Sequence, residues 1–343
     1  MRALVLEAAK TPFRLTTMPD PVAAPGEAVA RVMACGSGLT IQHVKAGRQQ
    51  IPFPRVIGHE IAGEIVEVGA GVTGLAVADP VTVHFYLFCG HCRHCLAGLE
   101  PLCENLQGQV GKACDGGYAE YLKLPARNFV RLPEGLDYKA HPAEAAVIAD
   151  ALATPYKVLR RGRVRAGDFV AVFGAGGGVG IHQVMMAKWA GARVIAVDIA
   201  RDKLGACRAA GAEHVVDGAE ANLVEALIDL TGGRGLDVAI DYVSSGATLD
   251  SAARALGARG RLVTLGGTGL NSQIALDALR QAEKELLSSR YVSRAEIIET
   301  LEIVARGEVW PLVTEIRPME EAEELHELVE AAKVTGRAAL TIA

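Results

Sequence analysis

The spacing of apolar side chains changes period once along the chain. From Glu27 to Ala34 and again in Ile61-Ala62-Gly63-Glu64-Ile65-Val66-Glu67-Val68, apolar positions alternate with polar or small ones, the rhythm of half-buried strands. Met1 to Glu7 and Pro80 to Val83 read as further short strands, with Gly, Pro and Asp breaking the chain between runs. That pattern predicts a mostly antiparallel, barrel-like layer. From about Thr154 the rhythm lengthens. Phe169 to Phe173 is an apolar strand, a glycine cluster follows, and Val179 to about Ala190 is helical. Then come a strand at Arg193 to Val197, a helix at Arg201 to Ala210, and strands at Val215-Val216, Val238 to Tyr242 and Arg261 to Leu265. Strands alternating with helices of this length predict parallel βαβ units in a doubly wound sheet. From about Ser293 two polar-faced helices lead to a closing strand near Arg337 to Ile342. The expected fold class is α/β: a Rossmann-type dinucleotide-binding domain over 154–290, and a discontinuous, mostly β domain over 1–153 and 291–343.

Composition narrows the function classes. With 343 residues the chain is long enough for two cores, and a net charge of −5 offers no basic face to nucleic acid or anionic membrane. No window reaches the roughly 20 apolar residues of a membrane span, and the charged N-terminal run reads as a strand rather than a signal peptide. A cytoplasmic protein is expected.

Cysteine usage carries the first chemistry. Four of the seven cysteines, Cys89, Cys92, Cys95 and Cys103, fall in the spacing C-x2-C-x2-C-x7-C. A thiolate quartet on one loop can wrap a tetrahedral zinc at low entropic cost, and a closed shell leaves no position for substrate. Gly90 and Gly98 suit the tight wrapping, and the interleaved His91 and His94 read as surface residues. A structural zinc is expected here.

Three further residues are individually weak signals: Cys35 just after a strand, His59 in Gly58-His59-Glu60, and Asp150 inside the apolar run from Ala145 to Ala153. A carboxylate in such a run needs a partner, and a cation would satisfy it. Taken together with Gly58-His59-Glu60-Ile61-Ala62-Gly63, Gly69, Val72, the cysteine lobe, Asp115-Gly116-Gly117-Tyr118-Ala119-Glu120-Tyr121 and the later glycine cluster, the chain resembles the zinc-dependent medium-chain alcohol dehydrogenases along essentially its whole length. The resemblance implies a GroES-like first domain and a catalytic zinc held by Cys35, His59 and Asp150, with Glu60 approaching the metal as ligands exchange. Such a zinc acts as a Lewis acid on the substrate oxygen. The resemblance also implies a proton exit beginning at Ser37. The relay histidine of the family is replaced by Thr40, and Gly38 replaces an aspartate, so His43, one helical turn from Thr40, becomes the candidate substitute. Zinc acidification of a bound oxygen is worth on the order of 12 kcal/mol and a proton shuttle roughly 3–5 kcal/mol, so the missing histidine should slow turnover without abolishing it.

The second domain carries the cofactor expectation. Gly174, Gly177 and Gly180 form G-x-x-G-x-x-G, with Gly176, Gly178 and Val179 between them, after a strand and before a helix. Backbone without Cβ can approach a pyrophosphate, and the helix N-terminus offers free N–H groups. Asp198, about 20 residues on, suits the ribose hydroxyls and repels a 2′-phosphate, so NAD is expected; Arg201 nearby is the group that would instead favour NADP. Lys203, Thr154, Val243, Gly266 and, by resemblance, a pyrophosphate-contacting Arg337 complete the expected cofactor contacts. Phe85, Tyr86 and Leu87 are candidates for lining the substrate pocket. The expected activity is hydride transfer between a secondary or cyclic alcohol or its carbonyl and NAD, by a homodimer or homotetramer. An enoyl or acryloyl thioester reductase and a non-catalytic zinc-stapled nucleotide-binding protein are the alternatives.

Overall fold

The structure is a computed structural model describing residues 1–266, 274 and 276–342. The chain divides into two compact units, Met1–Ala153 with Val292–Ala343, and Thr154–Tyr291.

The first unit opens with β1 (Arg2–Leu6), β2 (Arg14–Thr17), β3 (Glu27–Ser37), β4 (Arg55–Val56), β5 (Glu60–Val68), β6 (Pro80–Val83), β7 (Tyr121–Pro125) and β8 (Phe129–Arg131). β2, β1 and β4 form a small antiparallel sheet. Strand β3 runs beyond the Ala34 expected from hydrophobic alternation and takes Cys35, Gly36 and Ser37 into the sheet. The small residues Ala34-Cys35-Gly36-Ser37 hide that extension, because none carries the bulk that marks a strand face. A short apolar helix, Pro142–Val147, continues through a π-helical turn, Ile148–Leu152, into the helix Ala153–Arg161. Asp150 sits in that π turn, a distortion frequent at functional sites.

The second unit is a six-stranded parallel sheet of β9 (Phe169–Phe173), β10 (Arg193–Asp198), β11 (His214–Asp217), β12 (Leu236–Asp241), β13 (Leu256–Thr264) and β14 (Glu285–Ser288). Their order, β11-β10-β9-β12-β13-β14, is that of the doubly wound dinucleotide fold, in which the order reverses beside the first strand. Burial of every residue of β9, and of Ile195, Ala239 and Leu262 on its neighbours, explains why these strands read as continuous apolar runs.

After the second unit the chain returns to the first, adding β15 (Val313–Pro318) and β16 (Arg337–Thr341). The large sheet reads β15-β16-β3-β5-β6-β8, with β7 also on β3. β16 pairs antiparallel with the far end of β3, setting Ala338 opposite Ser37 and Leu340 opposite Cys35, while β5 sets Ile61 opposite Cys35 and Glu60 opposite Gly36 on the other side. Among the described residues no helix is long and apolar enough to cross a membrane.

Candidate functional site

In the cysteine lobe the four sulfur atoms lie within 4.8 Å of one another. The separations Cys92–Cys95, Cys89–Cys95 and Cys92–Cys103 are 3.5, 3.9 and 4.0 Å. A tetrahedron of sulfurs around zinc at ~2.3 Å has edges of about 3.8 Å, so this donor set fits one zinc ion. Backbone N–H groups of Cys92 and Cys89 point at the sulfurs of Cys89 and Cys103, at 3.4 and 3.3 Å. The N–H of His91 leads the donors that pull the Cys89 thiol down to about 5, whereas burial, followed by the neighbouring sulfurs, pushes Cys95 up to about 12. His91 is exposed and stands outside the set, as does His94.

The second candidate site is assembled differently. His59, at the entry to β5, places Nε2 3.1 Å from Asp150 Oδ2, and its ring packs on Phe85 at 4.4 Å. Phe85, Tyr86 and Leu87 are all buried. Glu60 accepts two hydrogen bonds from Arg337, at 2.9 Å from Nε and 2.6 Å from Nη2, with both side chains buried. Arg337 Nη2 also stands 3.9 Å from Asp150. Burial pushes the Glu60 carboxyl up against the pull of Arg337. Lys112, whose ammonium donates to Gln49 at 2.9 Å, is pushed by burial down to about 8, with Asp150 opposing. The acid that the apolar run left without a partner is thus met by His59 and by the chain's own cations.

Cys35 borders this group: the backbone N–H of Glu60 points at its thiol, and the charges of Glu60 and Arg337 both act on it. Side chains alternate along β3, so Cys35 and Ser37 share one face and Gly36 and Gly38 the other. A Cβ on Gly36 would lie 2.2 Å from Glu60 Oε2, and one on Gly38 2.3 Å from Arg337 Nη1. The Cys35 sulfur lies beside Gly58 and Gly117 and approaches the Gly36 carbonyl at 3.6 Å. Among the described residues the four cysteines of the lobe are the one set of three or more such donors close enough to share an ion. Of the expected trio, His59 and Asp150 stand in contact at 3.1 Å, and the Cys35 thiol lies against Glu60, the residue next to His59. Arg337, expected at a pyrophosphate, is paired with Glu60 in this ligand-free structure.

Ser37 likewise faces the Cys35 side, where its hydroxyl lies 3.3 Å from Nε2 of His326. Tyr118 reaches the same nitrogen at 2.9 Å, and His326 Nδ1 donates to Gln42 at 2.6 Å. Burial, with the charge of Lys45, brings His326 down to about 3, so the ring is neutral. Sequence reasoning missed this histidine, although Ala322, Leu325, His326 and Val329 form the buried stripe of their helix at a spacing that could have revealed it. Thr40 and His43 lie three apart on the helix Leu39–Lys45. Thr40 is exposed, and His43 Nδ1 accepts from Arg48 at 2.8 Å.

In the second unit, Gly174 adopts φ +73°, a conformation suited to glycine, and a Cβ on Gly180 would lie 2.0 Å from the Gly174 carbonyl oxygen. The helix Gly180–Trp189 begins there, its N-terminus uncapped by any side chain, with Val179 at the N-cap. Gly177 has open space where a Cβ would point, apart from the Gly174 carbonyl at 3.3 Å. The Gly178 carbonyl accepts from His182 Nδ1 at 2.6 Å. Asp198 ends β10 and accepts from the N–H groups of Gly176 and Ala200, at 2.7 and 2.9 Å. Gly176 lies against Lys203, where a Cβ would be 2.7 Å from the lysine Cβ. Arg201 is ion-paired with Asp217. The exposed Val243 approaches Gly174, Gly266 donates to the Ser244 hydroxyl at 3.0 Å, and Thr154 is buried.

Comparison with known proteins places this architecture. Residues 24–134 match the family model for the alcohol dehydrogenase GroES-like domain, and 178–306 that for zinc-binding dehydrogenases. An alcohol dehydrogenase of Geobacillus stearothermophilus is 33% identical over 100% of this chain and 99% of its own length. An NAD-dependent alcohol dehydrogenase of Sulfolobus acidocaldarius is 30% identical, with 100% of both chains covered. The crystal structure of the alcohol dehydrogenase of the archaeon Aeropyrum pernix superposes with a TM-score of 0.90 at 32% identity, covering 99% of this chain and 100% of that one. This chain therefore belongs to the zinc-type medium-chain alcohol dehydrogenases, a family of enzymes.

Proposed function

We propose that the chain is an NAD-linked oxidoreductase that moves a hydride between a secondary or cyclic alcohol and its carbonyl. The reaction class rests on full-length likeness to relatives named alcohol dehydrogenase. The observation that carries the nucleotide assignment is Asp198, an acid at the end of β10 with its carboxylate already held by the glycine loop. An acid there suits two ribose hydroxyls and disfavours a 2′-phosphate, and Arg201 is paired with Asp217. The loop from Gly174 to Gly180 and the N-terminus of the following helix are assigned to the pyrophosphate, with Thr154, Lys203, Val243 and Gly266 around the nucleotide.

Zinc on Cys89, Cys92, Cys95 and Cys103 would staple the lobe. Its shell, complete with protein sulfur, gives it no part in the hydride step. Cys35, His59 and the partly exposed Asp150, with Glu60 beside them, are the residues that would hold a catalytic zinc, which would supply Lewis-acid chemistry at the substrate oxygen. Thr40 and His43 are assigned to the exit of the alcohol proton. Assembly as a homodimer or homotetramer and a cytoplasmic location belong to the same proposal.

The second reading is reduction of an activated double bond, as in an enoyl thioester, which needs no polarising metal. Assaying a panel of primary, secondary, cyclic and aromatic alcohols beside an enoyl thioester, each with both nicotinamide cofactors, tests the two. Turnover of a secondary or cyclic alcohol with NAD is expected; turnover of the thioester alone would replace the first reading with the second.

A further inference from the structure

We infer that the cleft between the loop 71–74 and β8 of the first unit is a binding site for a small polyanion, a molecule that carries two or more phosphate or carboxylate charges. The inference goes beyond the proposed reaction and concerns a separate ligand.

The cleft has a volume of about 550 Å³ and is lined by Arg127, Arg131 and Arg294, with the loop from Gly71 to Gly74 and the apolar Ile298. That volume falls within the roughly 300–1,000 Å³ of small-molecule sites. Among the described residues no acid lines it. Arg294 opens the helix Arg294–Ala305, and Arg131 ends β8. Nη1 of Arg294 donates to the carbonyls of Arg127 and Phe129, the latter at 2.9 Å, and Arg127 Nε donates to the Phe88 carbonyl at 2.7 Å. Main-chain oxygens thus anchor two of the guanidiniums by part of their donors only. The Arg131 side chain is exposed and donates to no described residue.

This placement of charge is unfavourable without a ligand. Arg294 is half-buried, and burial pulls its pKa down, with the charge of Glu100 opposing. Glu100 accepts from the backbone N–H of Arg294, at 3.4 Å, and not from its guanidinium. The first turn of a helix is also where the dipole disfavours a cation. Among the described residues no carboxylate is ion-paired with any of the three arginines. The acids nearby, Asp79, Glu134 and Glu302, line a neighbouring cleft that shares Arg131 and Ile298. Charge is therefore segregated, with acids in one cleft and guanidiniums without acids in the other. Guanidinium forks match the paired oxygens of phosphate and carboxylate groups, and three positive charges call for more than one negative charge on the ligand.

The test is calorimetric titration of the full-length protein with pyrophosphate and, separately, with citrate, at fixed ionic strength. Binding of at least one of the two is expected, and the tighter one tells whether phosphate or carboxylate groups are recognised. Arg131→Glu should weaken it roughly tenfold or more, the scale of a lost hydrogen bond between charged groups. Thermal unfolding checks that this variant folds, and Arg127→Gln gives the same reading if it does not. Lys333→Glu, the same change of charge at an exposed lysine outside the cleft, should bind as the wild type does. No binding of either anion, binding unchanged in the arginine variant, or an equal loss in Lys333→Glu would overturn the inference. Because the titration reads no oxidation, its outcome is independent of the proposed reaction.

Discussion

Gly38 and Arg337 are fitted to one another: a Cβ on the glycine would lie 2.3 Å from Nη1 of the guanidinium. The backbone of Gly38 is extended, at φ −145°, so the demand for glycine is one of space and not of conformation. Gly38→Ala should displace Arg337 from Glu60. Breaking a buried ion pair typically costs about 3–5 kcal/mol, so a loss of that order is expected in denaturant unfolding. Gly205→Ala, in a helix where nothing lies near the missing Cβ, should instead gain about 0.5–1 kcal/mol. A Gly38→Ala protein as stable as wild type would show that the pair accommodates a methyl group.

His43 has its pKa lowered by burial and by Arg48 beside it. It is therefore neutral, and able to take a proton, at pH 7, and becomes charged only below its ordinary 6.5. Alcohol oxidation should fall as pH drops below that value, and His43→Gln should remove that acid limb. Profiles of kcat against pH for the two proteins check this. Coincident acid limbs would take His43 out of the mechanism.

Asp198 should decide between the two nicotinamide cofactors. In Asp198→Asn the charge that repels a 2′-phosphate and binds ribose hydroxyls is lost. Hydrogen bonds to charged groups are worth about 1.5–3 kcal/mol, which corresponds to a fall in NAD preference of roughly 10–150-fold. The ratio of kcat/KM for NAD and NADP measures it, and an unaltered ratio would remove Asp198 from the ribose site.

His326 makes stability depend on acid. Its pKa is about 3 in the folded chain and near 6.5 when unfolded. Between those values the unfolded state binds the extra proton, so stability is full above about pH 6.5 and is lost progressively as pH falls toward 3. At 1.36 kcal/mol per unit the loss reaches at most about 5 kcal/mol. His326→Gln should flatten this part of the stability profile, read from urea midpoints between pH 4 and 7. A slope unchanged by the substitution would show that other groups, such as the buried His84, pushed by burial down to about 4, carry the acid sensitivity.

Much of this protein could be read from its residues in order. The strand Phe169–Phe173, the glycine loop and Asp198 lie within about 30 residues, so local periodicity and backbone freedom were enough to show them as one βαβ unit. The cysteine lobe was legible for the same reason, since a metal shell closed by fifteen consecutive residues, 89–103, is written in their spacing. The corner around Glu60 was not. Its charge comes from Arg337, nearly 280 positions away, and its shape from β16 pairing with the end of β3. Which side of that strand Cys35 faces depends on a register shared by three strands, and a shift of one residue reverses it. Residue types and short-range spacing are local properties, whereas the face a side chain presents is set by pairing between distant segments. Tertiary structure alone decided that the partner of the buried Glu60 is an arginine of this chain.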